Sequence, residues 1–124
     1  MNAAVRAVAR IGKERGLKVK GIRKGYNGLL NEDIIDLTPT ETADTIFRGG
    51  TILFTARCEE FKTEEGQKRG AEICKAHGID GLVVIGGDGS FAGAQKLANL
   101  GVNTIGIPGT IDLDIACTDY TIGF

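Results

Sequence analysis

Two short apolar runs constrain the fold most, because each leads directly into a glycine-containing motif that carries an aspartate. The first run occupies residues 81–85 and the second residues 104–107. Apolar strands of this length are typical of parallel sheets that are covered by helices on both faces. In such sheets ligands bind beyond the carboxyl ends of the strands. Both aspartate motifs are therefore predicted to lie at one binding edge.

Segments with helical periodicity alternate with strand-like segments along the whole chain, which predicts an α/β fold. Helices are predicted at residues 2–15, 38–48, 63–77 and 90–100, and strands at residues 17–22, 51–55, 81–85 and 104–107. A loop and a short extended piece at residues 33–37 complete the pattern. We predict one domain over residues 1–124, with a mostly parallel, Rossmann-like sheet in a three-layer arrangement.

Charge and cysteine usage argue against several classes of protein. A net charge of −1 with mixed signs lacks the basic surface that nucleic-acid binding requires. No apolar run approaches the ~18 residues of a membrane helix, and Arg6 and Arg10 interrupt the pattern that a secretory signal would show. Cys58, Cys74 and Cys117 are widely spaced, which indicates free thiols. We expect a cytoplasmic protein with no nucleic-acid or membrane partner.

The first motif, Gly-Gly-Asp-Gly-Ser at residues 86–90, follows a predicted strand and opens a predicted helix. Glycines there let backbone amides and the helix N-terminus approach phosphate groups. A carboxylate about 4 Å from a phosphate charge costs about 4 kcal/mol at an effective dielectric constant of about 20. Asp88 therefore needs a bridging cation, and Mg²⁺ suits it. The alternative is a plain turn in which Asp88 bonds to its own backbone.

The second motif places Pro108, Gly109 and Thr110 at the end of a strand, with Asp112 and Asp114 following. One carboxylate could accept the proton of a substrate hydroxyl during phosphoryl transfer, and Thr110 could orient the same oxygen. The alternative is an acidic solvated loop whose aspartates bond to their own backbone.

Two groups of basic residues are candidate anion contacts. Arg57 follows the predicted strand at residues 51–55 and could clamp a phosphate through its planar guanidinium, although it could equally be a surface charge. Arg6, Arg10 and Lys13 form one stripe on the first helix. That stripe is either a solvated face or a regulatory anion site.

Several stretches, taken in order, resemble the bacterial ATP-dependent 6-phosphofructokinases. They are residues 1–6, 48–53, 55–57, 85–90, 106–112 and 118–124. The resemblance implies a truncated phosphofructokinase N-terminal domain that lacks the first strand and the C-terminal half. It also implies the family reaction of glycolysis, transfer of the ATP γ-phosphoryl group to fructose 6-phosphate, and a homotetrameric assembly.

The resemblance assigns roles to individual positions. Asp112 matches the base that takes the proton of the sugar 1-hydroxyl, Thr110 and Ile111 match its substrate-contacting neighbours, and Asp88 matches the magnesium ligand. The positions matching those around ATP are Arg57, Cys58, Gly87, Asp88, Gly89 and Ser90. The positions matching an allosteric site that reads ADP are Arg6, Ala7, Val8, Ala9 and Arg10. Pyrophosphate-using relatives tend to carry Asp at position 89 and Lys at position 109, so the two glycines here favour ATP.

Two departures from the family pattern qualify this assignment. Phe54 stands where the family usually has glycine, and Leu113 stands where it usually has asparagine. Both put bulky side chains beside sites that should admit phosphate. With the missing parts, we expect the isolated chain to have little activity and to self-associate. The competing hypotheses are an NAD or diacylglycerol kinase, and a non-catalytic, engineered nucleotide-binding or self-associating fragment.

Overall fold

The computed structural model describes residues 1–112 and 115–122, and the chain divides into two compact units, Met1–Arg57 and Cys58–Phe124. Leu113, Asp114 and the last two residues of the 118–124 match lie outside the described residues. The helices and strands are α1 (Asn2–Glu14), β1 (Lys20–Ile22), α2 (Gly25–Leu30), β2 (Ile34–Asp36), α3 (Pro39–Thr42), α4 (Glu64–Ala76), β3 (Leu82–Gly86), α5 (Asp88–Asn99) and β4 (Thr104–Pro108). The predicted α/β class is confirmed.

The first unit is built on α1, which confirms the helix predicted at residues 2–15. The helix ends at Glu14 with Arg15 as its C-cap residue, and Gly16 then adopts a φ of 77°, a conformation that suits glycine at a helix end. α1 packs against α3. The buried apolar residues of this unit are Ala4, Val5, Ala9, Leu29, Leu30 and Leu37. They supply the hydrophobic core of the first unit.

β1 and β2 form an antiparallel pair, in which Gly21 lies opposite Ile35. Residues 23–33 connect the two strands, which is fewer than the dozen or more that a parallel crossover needs. Lys20 Nζ lies 2.6 Å from Asp36 Oδ1 across the pair. This hydrogen bond holds the pKa of Asp36 below its usual value. β2 confirms the predicted extended piece, whereas β1 is shorter than the predicted strand at residues 17–22.

α2 was not predicted, because a segment with two glycines and no helical periodicity carries no helix signal. It begins after Lys24, which adopts a φ of 59°. α3 begins as predicted, with Thr38 Oγ1 accepting from the Glu41 N–H at 3.4 Å. It ends at Thr42 rather than near residue 48, because Asp44 has a φ of 55° and cannot continue the helix.

The strand predicted at residues 51–55 is wrong. The backbone groups of this segment are used elsewhere in the first unit. The Ile52 N–H donates to Asn2 Oδ1 at 2.7 Å, and the Leu53 carbonyl accepts from the Lys24 N–H at 2.7 Å. These bonds hold the segment without a strand ladder.

The second unit contains α4, α5 and a parallel pair of strands. Thr63 caps α4, accepting from the Gly66 N–H at 3.1 Å, which confirms the helix predicted at residues 63–77. β3 and β4 confirm the last two predicted strands and pair in parallel. α5 packs against both strands, and α4 packs against α5.

Among the described residues of this unit, helices cover only one face of the β3–β4 pair. The aromatic ring of Phe91 on α5 lies against Gly106. The opposite face carries Val83 and Ile105, which are ladder partners and are 40% and 67% exposed. The expectation that both strands are buried on both faces is therefore wrong. No helix within residues 1–112 and 115–122 is long and apolar enough to cross a membrane.

Candidate functional site

The two aspartate motifs lie side by side at the carboxyl ends of β3 and β4. The Gly109 N–H donates to the Gly86 carbonyl at 2.8 Å, which continues the parallel ladder past the strand ends. A Cβ on Gly87 would lie 3.2 Å from Thr110 Cβ. The shared edge predicted from the sequence is therefore present. The loop of the first motif at residues 86–90, here called the phosphate-type loop, touches the loop that carries Asp112.

The phosphate-type loop is followed directly by the N-terminus of α5. The helix begins at Asp88 with Gly87 as its cap residue, and no side chain caps it. Ser90, where the sequence predicted this helix to begin, instead lies in its first turn. The first amides of a helix have no intrahelical acceptor, so they are available to an anion. Asp88 and Gly89 are exposed at this end.

Glycine is not required at position 89 by packing. A Cβ there would meet nothing within 4 Å, and the residue does not adopt a positive φ. A glycine that the fold does not need, at an exposed helix N-terminus, leaves room for a ligand to approach the backbone.

The second loop is ordered by hydrogen bonds from two directions. Thr110 Oγ1 accepts from the Asp112 N–H at 3.1 Å, and the Thr110 carbonyl accepts from the Thr121 hydroxyl at 2.5 Å. The Ile122 N–H also donates to the Pro108 carbonyl at 3.0 Å. Asp112 is exposed, and none of the ion pairs among the described residues engages its carboxylate. This carboxylate is free to accept a proton from a bound hydroxyl.

The residues present fit a magnesium ion that arrives with a nucleotide. No group of three His, Cys, Asp or Glu side chains within the described parts of the chain could hold a metal by itself. Asp88 offers a single exposed carboxylate at the N-terminus of α5, which no side chain caps. Mg²⁺ commonly keeps several waters and binds through one or two carboxylates and substrate phosphates, so this donor set suits it.

The other residues predicted to contact ligands lie at positions 57 and 58 or on α1. Arg57 closes the first unit, is exposed and has no ion pair with any described residue. Cys58 opens the second unit and is a half-buried free thiol. Arg6 and Arg10 lie one turn apart on α1, while Ala9 between them is fully buried. The role assigned to each of these residues stays a prediction.

Sequence reasoning gave no role to Asn2 or Thr121, which hold other segments in place. A lone polar residue near the start of a helix, or a lone threonine in a loop, carries no spacing signal. Only the bonds that they make in the structure identify them.

Phe54, one of the two residues that depart from the family pattern, has a φ of 58° and is 59% exposed. An aromatic residue in this left-handed region is strained by about 1–2 kcal/mol, and glycine is not. We expect Phe54→Gly to raise the free energy of unfolding by about 1 kcal/mol, after allowing for the greater chain entropy of glycine, as measured by urea denaturation.

Phe47→Gly is the matched control, because Phe47 is 88% exposed and its φ is not positive. That variant should gain no stability. Equal changes in the two variants would contradict the strain at Phe54.

A family model described as Phosphofructokinase matches residues 1–124. The chain is 66% identical over 124 residues to an ATP-dependent 6-phosphofructokinase of Clostridium botulinum and 68% identical to one of Clostridium novyi. It spans 39% of the length of each of these relatives.

Two solved structures resemble the chain over 99% of its length. One is the crystal structure of Pichia pastoris phosphofructokinase in the T-state, with a TM-score of 0.93 and 36% identity, of which the match covers 16%. The other is phosphofructokinase from Saccharomyces cerevisiae, with a TM-score of 0.88 and 35% identity, of which the match covers 20%.

Proposed function

Because the chain belongs to the phosphofructokinase family, we propose that it supplies part of the ATP-binding and catalytic domain of a 6-phosphofructokinase. The reaction is ATP-dependent phosphorylation of fructose 6-phosphate to fructose 1,6-bisphosphate in glycolysis. One observation carries the proposal: the Gly-Gly-Asp-Gly loop and the Thr110–Asp112 loop touch at the ends of two parallel strands. A phosphate site beside a candidate base is the arrangement that phosphoryl transfer to a hydroxyl requires.

On the donor side, the N-terminus of α5 receives the phosphates of ATP, and Asp88 holds the Mg²⁺ that they carry. Gly87, Gly89 and Ser90 line this approach, and Arg57 and Cys58 contribute to the same nucleotide. When bound, Mg²⁺ offsets the negative charge of the phosphates. The glycines at positions 89 and 109 favour ATP over pyrophosphate as donor.

On the acceptor side, Asp112 takes the proton of the sugar hydroxyl. Its carboxylate is exposed and free of cations among the described residues, so a hydroxyl can reach it. Thr110 and Ile111 contact the same substrate. The Thr110 hydroxyl already accepts the Asp112 N–H, which leaves its own proton to donate to a substrate oxygen.

The proposal also includes an allosteric effector site and a homo-oligomeric assembly. The segment from Arg6 to Arg10 forms part of an effector site for ADP, supported by the two cations one turn apart on α1. We also propose a homo-oligomer, supported by the exposed apolar face at Val83 and Ile105. Three free cysteines are in keeping with a cytoplasmic location.

The nucleotide site is tested by separating binding from stability. Gly89→Ala should keep or raise the free energy of unfolding, by up to about 1 kcal/mol, because alanine favours the helix and its Cβ meets nothing. The same methyl group obstructs close approach of a phosphate, so we expect at least a ~10-fold loss of MgATP affinity in calorimetry.

Two further variants complete the test. Asn99→Ala also raises helix propensity, at the far end of α5, and should leave affinity unchanged. Asp88→Asn should weaken binding in the presence of Mg²⁺ far more than in its absence. Unaltered MgATP affinity in Gly89→Ala and Asp88→Asn would refute the assignment of this loop.

A further inference from the structure

Residues 118–122, here called the closing segment, bond to the loop that carries the candidate base. The Thr121 hydroxyl donates to the Thr110 carbonyl at 2.5 Å, and the Ile122 N–H donates to the Pro108 carbonyl at 3.0 Å. One bond therefore reaches the end of β4 and the other reaches the loop itself. The two contacts fix the loop at two points that are two residues apart.

The bond from Thr121 acts on the peptide group between Thr110 and Ile111. Because the carbonyl of that group is held, rotation of the peptide plane is restricted. The next residue, Asp112, is held in turn by its N–H bond to Thr110 Oγ1 at 3.1 Å. A Cβ on Gly87 would lie 3.2 Å from Thr110 Cβ, so the phosphate-type loop limits movement of Thr110 toward it. Thr110 is therefore held at its carbonyl by Thr121 and at its side chain by the phosphate-type loop.

We propose that Thr121 is a positioning residue, whose hydroxyl sets the orientation of Thr110 and, through it, of the Asp112 carboxylate toward the sugar substrate. This inference rests on the proposed function and adds a residue to which the family resemblance gives no role. Thr121 touches neither the nucleotide nor the reacting hydroxyl in this proposal. It acts through the Thr110 carbonyl alone.

The closing segment provides its own control. The hydroxyl of Thr118 donates to the Tyr120 carbonyl at 2.7 Å, within the segment, and makes no hydrogen bond to the Thr110 loop among the described residues. Thr118→Val removes a hydroxyl from the same segment without touching the bond to Thr110. Thr121→Val and Thr121→Ala remove the proposed bond, and Thr121→Ser keeps the hydroxyl.

The experiment uses the full chain labelled with ¹⁵N. Amide hydrogen exchange is measured at Asp112, and chemical shifts are followed in titrations with MgATP and, separately, with millimolar fructose 6-phosphate. In Thr121→Val and Thr121→Ala we expect about a fivefold loss of protection at the Asp112 amide. We also expect the fructose 6-phosphate shifts at residues 110–112 to weaken, while the MgATP shifts at residues 87–90 persist. Thr121→Ser should restore the Asp112 protection and the sugar shifts, and Thr118→Val should resemble the wild type.

Wild-type protection and sugar shifts in both Thr121→Val and Thr121→Ala would overturn the positioning role. So would equal losses in Thr118→Val, because they would show that the segment matters only as a whole. Absence of ligand shifts in the unaltered chain would contradict the proposed function instead, while hydrogen exchange would still decide the role of Thr121. A general loss of MgATP shifts that serine does not rescue would also count against the inference.

Discussion

Asn2→Asp is expected to lower the free energy of unfolding of the first unit by about 3 kcal/mol or more at neutral pH. Asn2 is only 3% exposed. Its Nδ2 donates to the carbonyls of Thr45 and Arg48 at 3.0 and 3.3 Å, and its Oδ1 accepts from the Ile52 N–H at 2.7 Å. Aspartate keeps the acceptor but turns an oxygen toward two carbonyls. Urea denaturation of variant and wild type measures the difference.

The pH dependence of the stability loss in Asn2→Asp distinguishes the effect of the added charge from the effect of the lost amide donors. A buried carboxyl that faces carbonyls has a folded-state pKa above its unfolded value of about 3.9, because its neutral form is favoured. The loss of stability is therefore complete above the folded-state pKa and is relieved as pH falls through it. We expect the difference between Asn2→Asp and wild type to shrink in acid.

Asn31→Asp adds the same charge where the side chain is exposed. This control should cost well under about 1 kcal/mol. An Asn2→Asp deficit that does not change with pH would show that the lost donors, and not the charge, dominate. A deficit no larger than that of Asn31→Asp would contradict the structural role of Asn2.

Local signals predicted much of the fold. Thr63 and Gly78 bracket α4 because an N-cap hydroxyl and a positive-φ glycine act within a few residues. β3 and β4 were predicted because their apolar runs and following glycines are contiguous in sequence. Such features depend little on the rest of the chain.

The errors arise where distant contacts decide the backbone. The segment at residues 51–55 has the composition of a strand, yet the backbone of Ile52 bonds to the side chain of Asn2, fifty residues away. α2 lacks helical periodicity and is held through a close approach between Gly28 and Arg23. No local pattern contains either contact.

The same distinction between local signals and distant contacts applies to the candidate site. The shared edge for Asp88 and Asp112 was predicted, because parallel strands place their carboxyl ends together. The bond between Thr121 and Thr110 was not, because the partners lie eleven positions apart in the sequence and no local pattern joins them. Sequence thus points more readily to the groups that we propose for the chemistry than to the residue that we propose to orient them.

Gly28→Ala is expected to destabilise the first unit by about 3 kcal/mol or more, which is a large part of the ~5–15 kcal/mol that stabilises a domain. A Cβ on Gly28 would overlap the carbonyl oxygen of Arg23 and lie 2.6 Å from its carbonyl carbon. Both groups are backbone atoms, so no rotamer change relieves the overlap. We expect the variant to lose most helical circular dichroism of this unit at a lower urea concentration than the wild type.

The backbone around Gly28 cannot easily move aside. The Arg23 N–H donates to the Asp33 carbonyl at 3.1 Å, and the Asp33 N–H donates to the Gly28 carbonyl at 2.8 Å. Moving Arg23 and Gly28 apart would therefore strain both bonds to the same residue. Breaking them would also disturb the start of β2, since Asp33 directly precedes that strand.

Alanine substitutions at two other glycines of the same unit give reference values for the stability cost of Gly28→Ala. Gly49→Ala meets nothing within 4 Å and should change the free energy of unfolding by less than about 0.5 kcal/mol. Gly12→Ala meets Val19 Cγ2 at 2.5 Å, an atom at the end of a side chain. Because the valine can rotate or shift, this variant should fall between the other two. The order Gly49, Gly12, Gly28 in rising cost is the expected result, and a Gly28→Ala variant as stable as Gly49→Ala would contradict the close backbone approach that positions α2.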